Sequence, residues 1–598
     1  MTPKFLKCRW QKITAAVLSI FVIIISIIAF FINQYWSPIL AREVKSTVLN
    51  STDSLYVADF KDARLNVLQG KIVLYDITIK PNMPVYNRRL KIGLAPNNLY
   101  TLKVKRIVFQ RIHPLRLYRK NQLNINKIII SEPELKVTYH LVHTRDTLTF
   151  GKLNAWQRIK SILKSIHVNQ VLLNDVKFRY EDYTGAKLDV SELKEMNLTG
   201  NNLQIDSATQ NDTSRFLYFK EVQIELNNFI QPSNNGLYTY RIKQLNFSTL
   251  TSQLNAFGLS LIPASEQVFA SKKSRIRFAC YLDTVQINHF DFATYNKYHL
   301  FNSSHVVLTR GNFSIAVNPM AQARKTDRLI TFPNVAIHQL GSQFRLDTVD
   351  LQSINIAYKG YGKKSHKPGQ INFNNTSGSL YNVSNQASAL ALNPVCSLQL
   401  SSYLMNQGLL NTTVTFNLTD SAKTYAYKGT LGSMKLDKLN PVTIPFGLLK
   451  ITSGNLTRLD FDVKGNRNVA TGTVGFQYSN LKVKLFKMDT ATARYKRMTI
   501  VSLLANNLVI KRNNPDQPGQ IARLAQVTYV RQPDTPFFKT VWKTLSRGIK
   551  ACAGYDAAME KHVKQQIAQH AIDKKKRKIR KAQRDRRKIE KGRKKRRH

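Results

Sequence analysis

IVLYDITI, residues 72–79, reads as two strand fragments joined by an irregular step. Ile72 and Leu74 stand at alternate positions, and so do Ile77 and Ile79, but the polar-leaning Tyr75 and Asp76 stand between the pairs where strict alternation allows one residue. Alternation of β-branched residues with polar ones marks a half-buried strand. A bulge or a corner at the step would return the second pair to the face of the first. The pattern recurs as Val171, Leu173, Val176 and Phe178, as Val285, Ile287, Phe290 and Phe292, and as Val349, Leu351, Ile354 and Ile356. A defective copy is Ile128, Ile130, Pro133 and Leu135. A longer gapless correspondence relates residues 123–137 to 166–180, with apolar or aromatic residues shared at seven slots and Pro133 misfitting Val176. The spacing between copies varies, which argues against a strict solenoid.

Further alternation appears at Leu65 and Val67, at Val222, Ile224 and Leu226, and at Leu481, Val483 and Leu485. Clusters such as Pro81-Asn82 and Ser233-Asn234-Asn235-Gly236 punctuate it. A short helical stretch is expected at residues 37–49. Trp156, Ile159, Ile162, Leu163 and Ile166 recur at helical spacing and predict an amphipathic helix that packs on the strands.

Upstream of the strands, ITAAVLSIFVIIISIIAFFI (residues 13–32) carries no charge. At ~1.5 Å per residue, such a helix spans a hydrocarbon core about 30 Å thick. Lys4, Lys7, Arg9 and Lys12 precede it and Tyr35 and Trp36 follow, which keeps the N-terminus in the cytoplasm and sends the body across. The run exceeds the h-region of a cleaved signal peptide, so an uncleaved anchor is expected.

Lys and Arg number 90 against 36 Asp and Glu, a formal net charge of +54, which predicts attraction to a polyanion. Of four cysteines, Cys280 and Cys396 could pair in an oxidising compartment, but no spacing argues for it and none builds a metal finger. His140 and His143 would face opposite sides of a strand, a poor metal pair. No GxSxG, HExxH, P-loop or dinucleotide fingerprint is present, so neither an enzyme nor a cofactor is expected.

Near the C-terminus, Asp534-Thr535-Pro536 reads as a helix start. Phe538, Val541, Trp542, Leu545 and Ile549 then share one face, flanked by Lys539, Lys543, Arg547 and Lys550. Such a helix either lies in a membrane interface or caps the sheet. From residue 573 the chain is polybasic, fit for an anionic membrane surface or lipopolysaccharide at about 1 kcal/mol per cation. Nucleic acid is the more distant partner, because no aromatics are interleaved and the topology places the tail outside the cytoplasm.

The stretches LYVADFKDARLNVLQGKIVLYDITIKPN (55–82), LYTLKVKRIVFQRIHPLRLYRKNQLNINKIIISEPELKVTY (99–139) and LNPVTIPFGLLKITSGNLTRLDFDVKGNRNVATGTVGFQYSNLKVKLFK (439–487) resemble AsmA-like bacterial envelope proteins, of the TamB/AsmA type. The resemblance implies a protein of the Gram-negative inner membrane. Its periplasmic body would be an elongated, curved antiparallel β-sheet forming an apolar groove that conducts phospholipid toward the outer membrane. The groove would be lined by Ile72, Leu74, Ile77, Ile79, Val171, Leu173, Val176, Phe178, Val285, Ile287, Phe290 and Phe292. The expected plan is a basic N-terminus (1–12), a transmembrane helix (13–32), a β-rich body (33–535), an amphipathic segment (536–572) and the tail (573–598). Roughly 25 to 30 strands at about 4.8 Å would give a trough on the order of 100 to 150 Å long. Alternating apolar faces equally suit closed β-sandwiches, and with them a scaffold or assembly factor for outer-membrane biogenesis, working with envelope proteins and without a lipid path.

Overall fold

The computed structural model describes residues 52–555 apart from 53, 67–69, 97, 114–115, 117–118, 141–155, 158–159, 161–162, 184–187, 213, 217, 234, 273, 275, 292–299, 318–326, 341–342, 490–493 and 499–509, together with scattered positions between 565 and 583. The apolar run 13–32, the stretch 37–49, Val67, His143, Phe292 and most of the tail lie outside the described residues.

The chain is mainly β, folded into one long curved sheet of 23 strands. In chain order they are β1 (Tyr56–Asp59), β2 (Asp62–Asn66), β3 (Lys71–Pro81), β4 (Asn98–Ile112), β5 (Gln122–Ser131), β6 (Glu134–Tyr139), β7 (Ser165–Asp182) and β8 (Asp189–Ile205). Then come β9 (Phe219–Pro232), β10 (Tyr238–Ser248), β11 (Gln253–Pro263), β12 (Ile276–Asn288), β13 (Phe301–Val317), β14 (Phe344–Tyr361), β15 (Pro368–Ser384) and β16 (Val395–Leu404). The last are β17 (Gly408–Asn417), β18 (Tyr425–Leu431), β19 (Met434–Lys435), β20 (Leu449–Gly465), β21 (Val469–Met488), β22 (Tyr495–Arg497) and β23 (Leu524–Val530). The helices are α1 (Met83–Lys91), α2 (Glu266–Ser271), α3 (Pro333–Ala336), α4 (Ala387–Leu392), α5 (Asn440–Gly447) and α6 (Phe537–Cys552).

Neighbours in space are almost always neighbours in sequence. Four places are each shared by two short strands: β1 and β2 beside β3, β5 and β6 between β4 and β7, β18 and β19 beside β20, and β22 and β23 beside β21. Twenty-three strands less four shared places leaves nineteen. At about 4.8 Å each, the sheet runs ~85 Å along its hydrogen-bonding direction, shorter than the trough expected from 25 to 30 strands.

The expectation of a wholly antiparallel sheet needs one correction. β7 runs parallel to β5 and β6, and β14 parallel to β13. Long connections after β6 and β13 carry the chain back to the end where those strands began, which a tight hairpin cannot do. Both joints pair a residue with the one 43 further along: Gln122 with Ser165, and Phe301 with Phe344. The internal correspondence of 123–137 with 166–180 is therefore a physical register, Leu123 opposite Ile166 and Val137 opposite Tyr180. Ile166, placed by periodicity on a helix, belongs to β7 and is buried. Its strand partners are Leu123 and Ile205. Upstream, Trp156 and Gln157 are helical and Lys160 N–H donates to the Trp156 carbonyl (2.9 Å), while Ile159 and Ile162 lie outside the described residues.

The three-residue step is a left-handed backbone position. Asp76, Glu132, Asp175 and Ser353 all have φ between 50° and 60°, and each is the residue just before the third apolar slot of a copy. Glu195, Asn228, Gly258, Arg310 and Asn375 repeat the conformation in β8, β9, β11, β13 and β15. These positions lie near one another across the ladder, so the bulges form a seam that crosses most of the sheet. A bulge bends its strand and leaves an N–H out of the ladder. Short polar side chains on the next strand take up these donors: Asp175 N–H donates to Asn197 Oδ1 (3.0 Å), Ser353 N–H to Ser377 Oγ (3.0 Å) and Asn375 N–H to Asn355 Oδ1 (3.1 Å). Charged pairs line the exposed side of the seam, Lys105 with Glu132 at 3.3 Å and Arg310 with Asp283 at 2.7 Å. Strands creased along one line make a curved wall whose inner face keeps both apolar pairs of each copy. The third copy departs from this. His289 is left-handed (φ 51°), but β12 ends just before it, and Phe290 leaves the sheet to pack against Phe247, Leu254 and Phe301.

Candidate functional site

One row of directly opposed residues runs the length of the sheet. It begins with Leu74, Ile107, Ile130, Leu173, Leu198 and Ile224. It continues through Phe247, Leu254, Ile287, Val306, Val349 and Leu380. It ends with Leu398, Val414, Tyr427, Val463, Gly472 and Val527. Every member is aliphatic or aromatic except one glycine. Across the seam, a second row in the middle of the sheet joins Leu261, Cys280, Phe313, Ile356, Phe373 and Leu404. Cross-strand pairs on one face stand about 4.5–5.5 Å apart, so each row is a continuous apolar contact surface.

Burial along the first row is uneven. At the ends it is nearly complete: Leu74 is 2% exposed and Val463 0%. In the middle, Leu173, Leu198, Ile224, Ile287, Leu380, Leu398 and Val414 are half-buried, interleaved with the more buried Phe247, Leu254, Val306 and Val349. Two large apolar clusters account for the ends, one reaching from Leu55 to Val285 and one from Phe332 to Ala553.

The residues singled out from sequence concentrate at the filled end. Ile72, Leu74, Ile77, Ile79, Val171, Val176, Phe178 and Val285 are buried, while Leu173 and Ile287 are half-buried. Phe290 is buried in its own small cluster at the rim. In the half-exposed stretch of β13–β16, the copy Val349, Leu351, Ile354 and Ile356 on β14 was recognised but not assigned to the groove, and Leu380 and Leu398 were not singled out. Their signal was weak, because SLQL at 397–400 is too short to stand out; only the pairing register reveals their alignment.

The C-terminal end is closed by two segments that meet on the inner face. α6 packs against β21 and β23 with Phe537, Thr540, Thr544, Gly548 and Cys552 buried. A Cβ on Gly548 would collide with Val474, so glycine is what lets the helix approach so closely. The helix begins at Phe537, not at the Asp534-Thr535-Pro536 start. No side chain caps it there; Phe537 N–H instead donates to Thr331 Oγ1 (3.0 Å) in the connection between β13 and β14. Phe332 of that connection stacks edge-on against Tyr425 and Phe537. Buried Arg531 ties both segments down: its guanidinium donates to the carbonyls of Arg467, Pro533 and Thr535 and pairs with Asp327 at 2.8 Å. The amphipathic face is split. Val541, Leu545 and Ile549 pack against the core, whereas Phe538 and Trp542 are 68% and 44% exposed. The expected face is thus shared between capping the sheet and facing solvent.

Among the described residues, a Ser–Asp–His contact makes no nucleophilic arrangement. Asp350 stands between its partners, accepting from Ser379 Oγ (2.6 Å) and contacting His305 Nε2 (2.7 Å), so the serine has no imidazole base. Cys280, Cys396 and Cys552 are free thiols. Cys280 and Cys396 lie four strands apart, about 19 Å at the usual spacing, beyond disulfide reach. Burial pushes the Cys396 thiol up to about 11. Among the described residues, no helix is long and apolar enough to cross a membrane.

No protein-family model matches this chain, and no curated protein matches it either.

Proposed function

We propose that this protein is a membrane-anchored, AsmA-like envelope protein whose curved sheet holds phospholipid acyl chains and conducts them between inner and outer membrane. The observation that carries the reading is the unbroken apolar row from Leu74 to Val527, half-exposed in its middle. A lipid leaving a bilayer exposes hydrocarbon at about 0.8 kcal/mol per CH₂, a barrier of more than roughly ten kcal/mol for a whole chain. A trough with apolar walls removes most of that barrier and lets the headgroup stay wet at the open side. The run at 13–32 supplies the inner-membrane anchor in this reading, the body stands in the periplasm, and the basic tail meets an anionic membrane surface or lipopolysaccharide. The role is one of binding and transfer, without catalysis.

The filled ends favour a second reading, a non-enzymatic scaffold for outer-membrane biogenesis with a closed core. Mass spectrometry of the gently extracted full chain separates the two. Phospholipid retained at a defined stoichiometry supports the conduit; stoichiometric protein partners without lipid support the scaffold and sink the conduit.

A further inference from the structure

Residues 77–131 contain twelve Lys and Arg and no Asp or Glu, whereas the longer acid-free stretch 351–419 contains four Lys and no Arg. The fold gathers part of this segment into one corner. α1 packs on the first strands through buried Tyr86 and half-buried Val85. The turn that follows, bent at Gly93 (φ +68°), projects Leu90, Ile92 and Leu94 into solvent, with Ile92 63% exposed. Arg88 and Lys91 are exposed beside them.

Single exposed aliphatics are ordinary, but three within five residues, ringed by cations and free of acids, are not. Aliphatic side chains that enter the acyl boundary while neighbouring cations meet phosphates are the composition of an interfacial membrane contact. In the reading proposed above, a bilayer holds residues 13–32. The uncharged run ends at Ile32, and Leu55, where the sheet begins, accepts a hydrogen bond from Asn82 N–H (2.7 Å) at the start of α1. α1 therefore adjoins Leu55, at the start of the sheet and 23 residues after the end of the run in sequence.

We infer that α1 and its following turn seat on the anionic phospholipid surface of the bilayer that holds residues 13–32. This inference rests on the membrane attachment proposed above but not on lipid conduction. The trough's first strands then stand directly over the headgroups, where an acyl chain enters.

The test uses the full chain reconstituted in vesicles, either phosphatidylglycerol with phosphatidylethanolamine or phosphatidylcholine alone. Benzoylphenylalanine replaces Ile92, Leu94 or, as a control in a distant exposed turn, Leu250. Lipid crosslinking at positions 92 and 94 should exceed that at 250 several-fold in the anionic vesicles. It should fall roughly thirty-fold when Arg88→Glu and Lys91→Glu are combined, the scale of two cations at an anionic surface. Yields at 92 and 94 no higher than at 250 would overturn the inference, as would yields indifferent to lipid charge and charge reversal. The substituted side chains are exposed, so an unchanged melting temperature confirms that folding is retained. Conduction is read separately, by crosslinking inside the trough, so the two readings fail independently.

Discussion

Val306 of β13 and Val349 of β14 stand side by side in parallel register on the inner face, near the midpoint of the apolar row. Leu380 adjoins Val349 on the next strand and is half-buried, so a charge placed there meets anything lying in the trough. Leu380→Glu should lower co-purifying phospholipid several-fold, yet shift the melting temperature little, because its carboxylate can reach water. Gln399→Glu, exposed on the opposite face of β16, should change neither. Lipid quantification beside thermal unfolding checks the pair.

Arg531 should dominate the stability of the C-terminal end. Removing a buried guanidinium leaves the carbonyls of Arg467, Pro533 and Thr535 without this donor, so Arg531→Ala should cost about 2–4 kcal/mol. Arg531→Lys should not restore it, since an ammonium lacks the planar fork that reaches separate acceptors. Denaturant unfolding measures both; a loss under about 1 kcal/mol would contradict this account.

The seam was partly legible because its mark is local: two polar-leaning residues between apolar pairs. Asp76, Asp175 and Ser353 all fall in that slot, and the bulge was expected there. His289 fills the same slot, yet the strand ends before it, because Phe290 packs against Phe247, Leu254 and Phe301, contacts that no local pattern announces. Neither parallel joint was expected. The correspondence of 123–137 with 166–180 was visible, but similarity alone does not say that the copies lie side by side. The split face of α6 was hidden for a related reason. Helical periodicity groups Phe538 with Val541 and Leu545, whereas contact with β21 turns on Gly548 and two threonines that carry no apolar signal.

Acid should loosen the body through particular carboxylates. Hydrogen bonds from Ser379 and then His305 hold Asp350 below the usual carboxylate range, against burial. Burial raises Asp327, but Arg531 and the Leu329 N–H together outweigh it and hold it low as well. A carboxyl depressed in the folded state stabilises fully above its unfolded value of about 4, and loses that contribution as pH falls through the folded one. Melting temperature should therefore fall below about pH 4, and Asp350→Asn should flatten part of that fall. An identical pH profile in the variant would refute the assignment.

Phe538 and Trp542 should separate from their helical neighbours. Replacing either exposed aromatic with Ser should change stability by less than about 0.5 kcal/mol while weakening contact with anionic membranes. Leu545→Ala, which removes packing against the sheet, should destabilise by about 1–3 kcal/mol. Equal stability losses at Trp542 and Leu545 would show that the helix sits differently.

What occupies the inner face decides between a lipid conduit and a closed scaffold. Photoreactive residues placed at Val349, Leu380 and Leu398, and on the outer face at Asp350 and Gln399, test it in the full chain in its native membranes. Acyl-chain adducts at the three inner positions and none at the two outer ones are predicted. Absence of lipid adducts at all three inner positions, or equal labelling of both faces, would contradict the conduit.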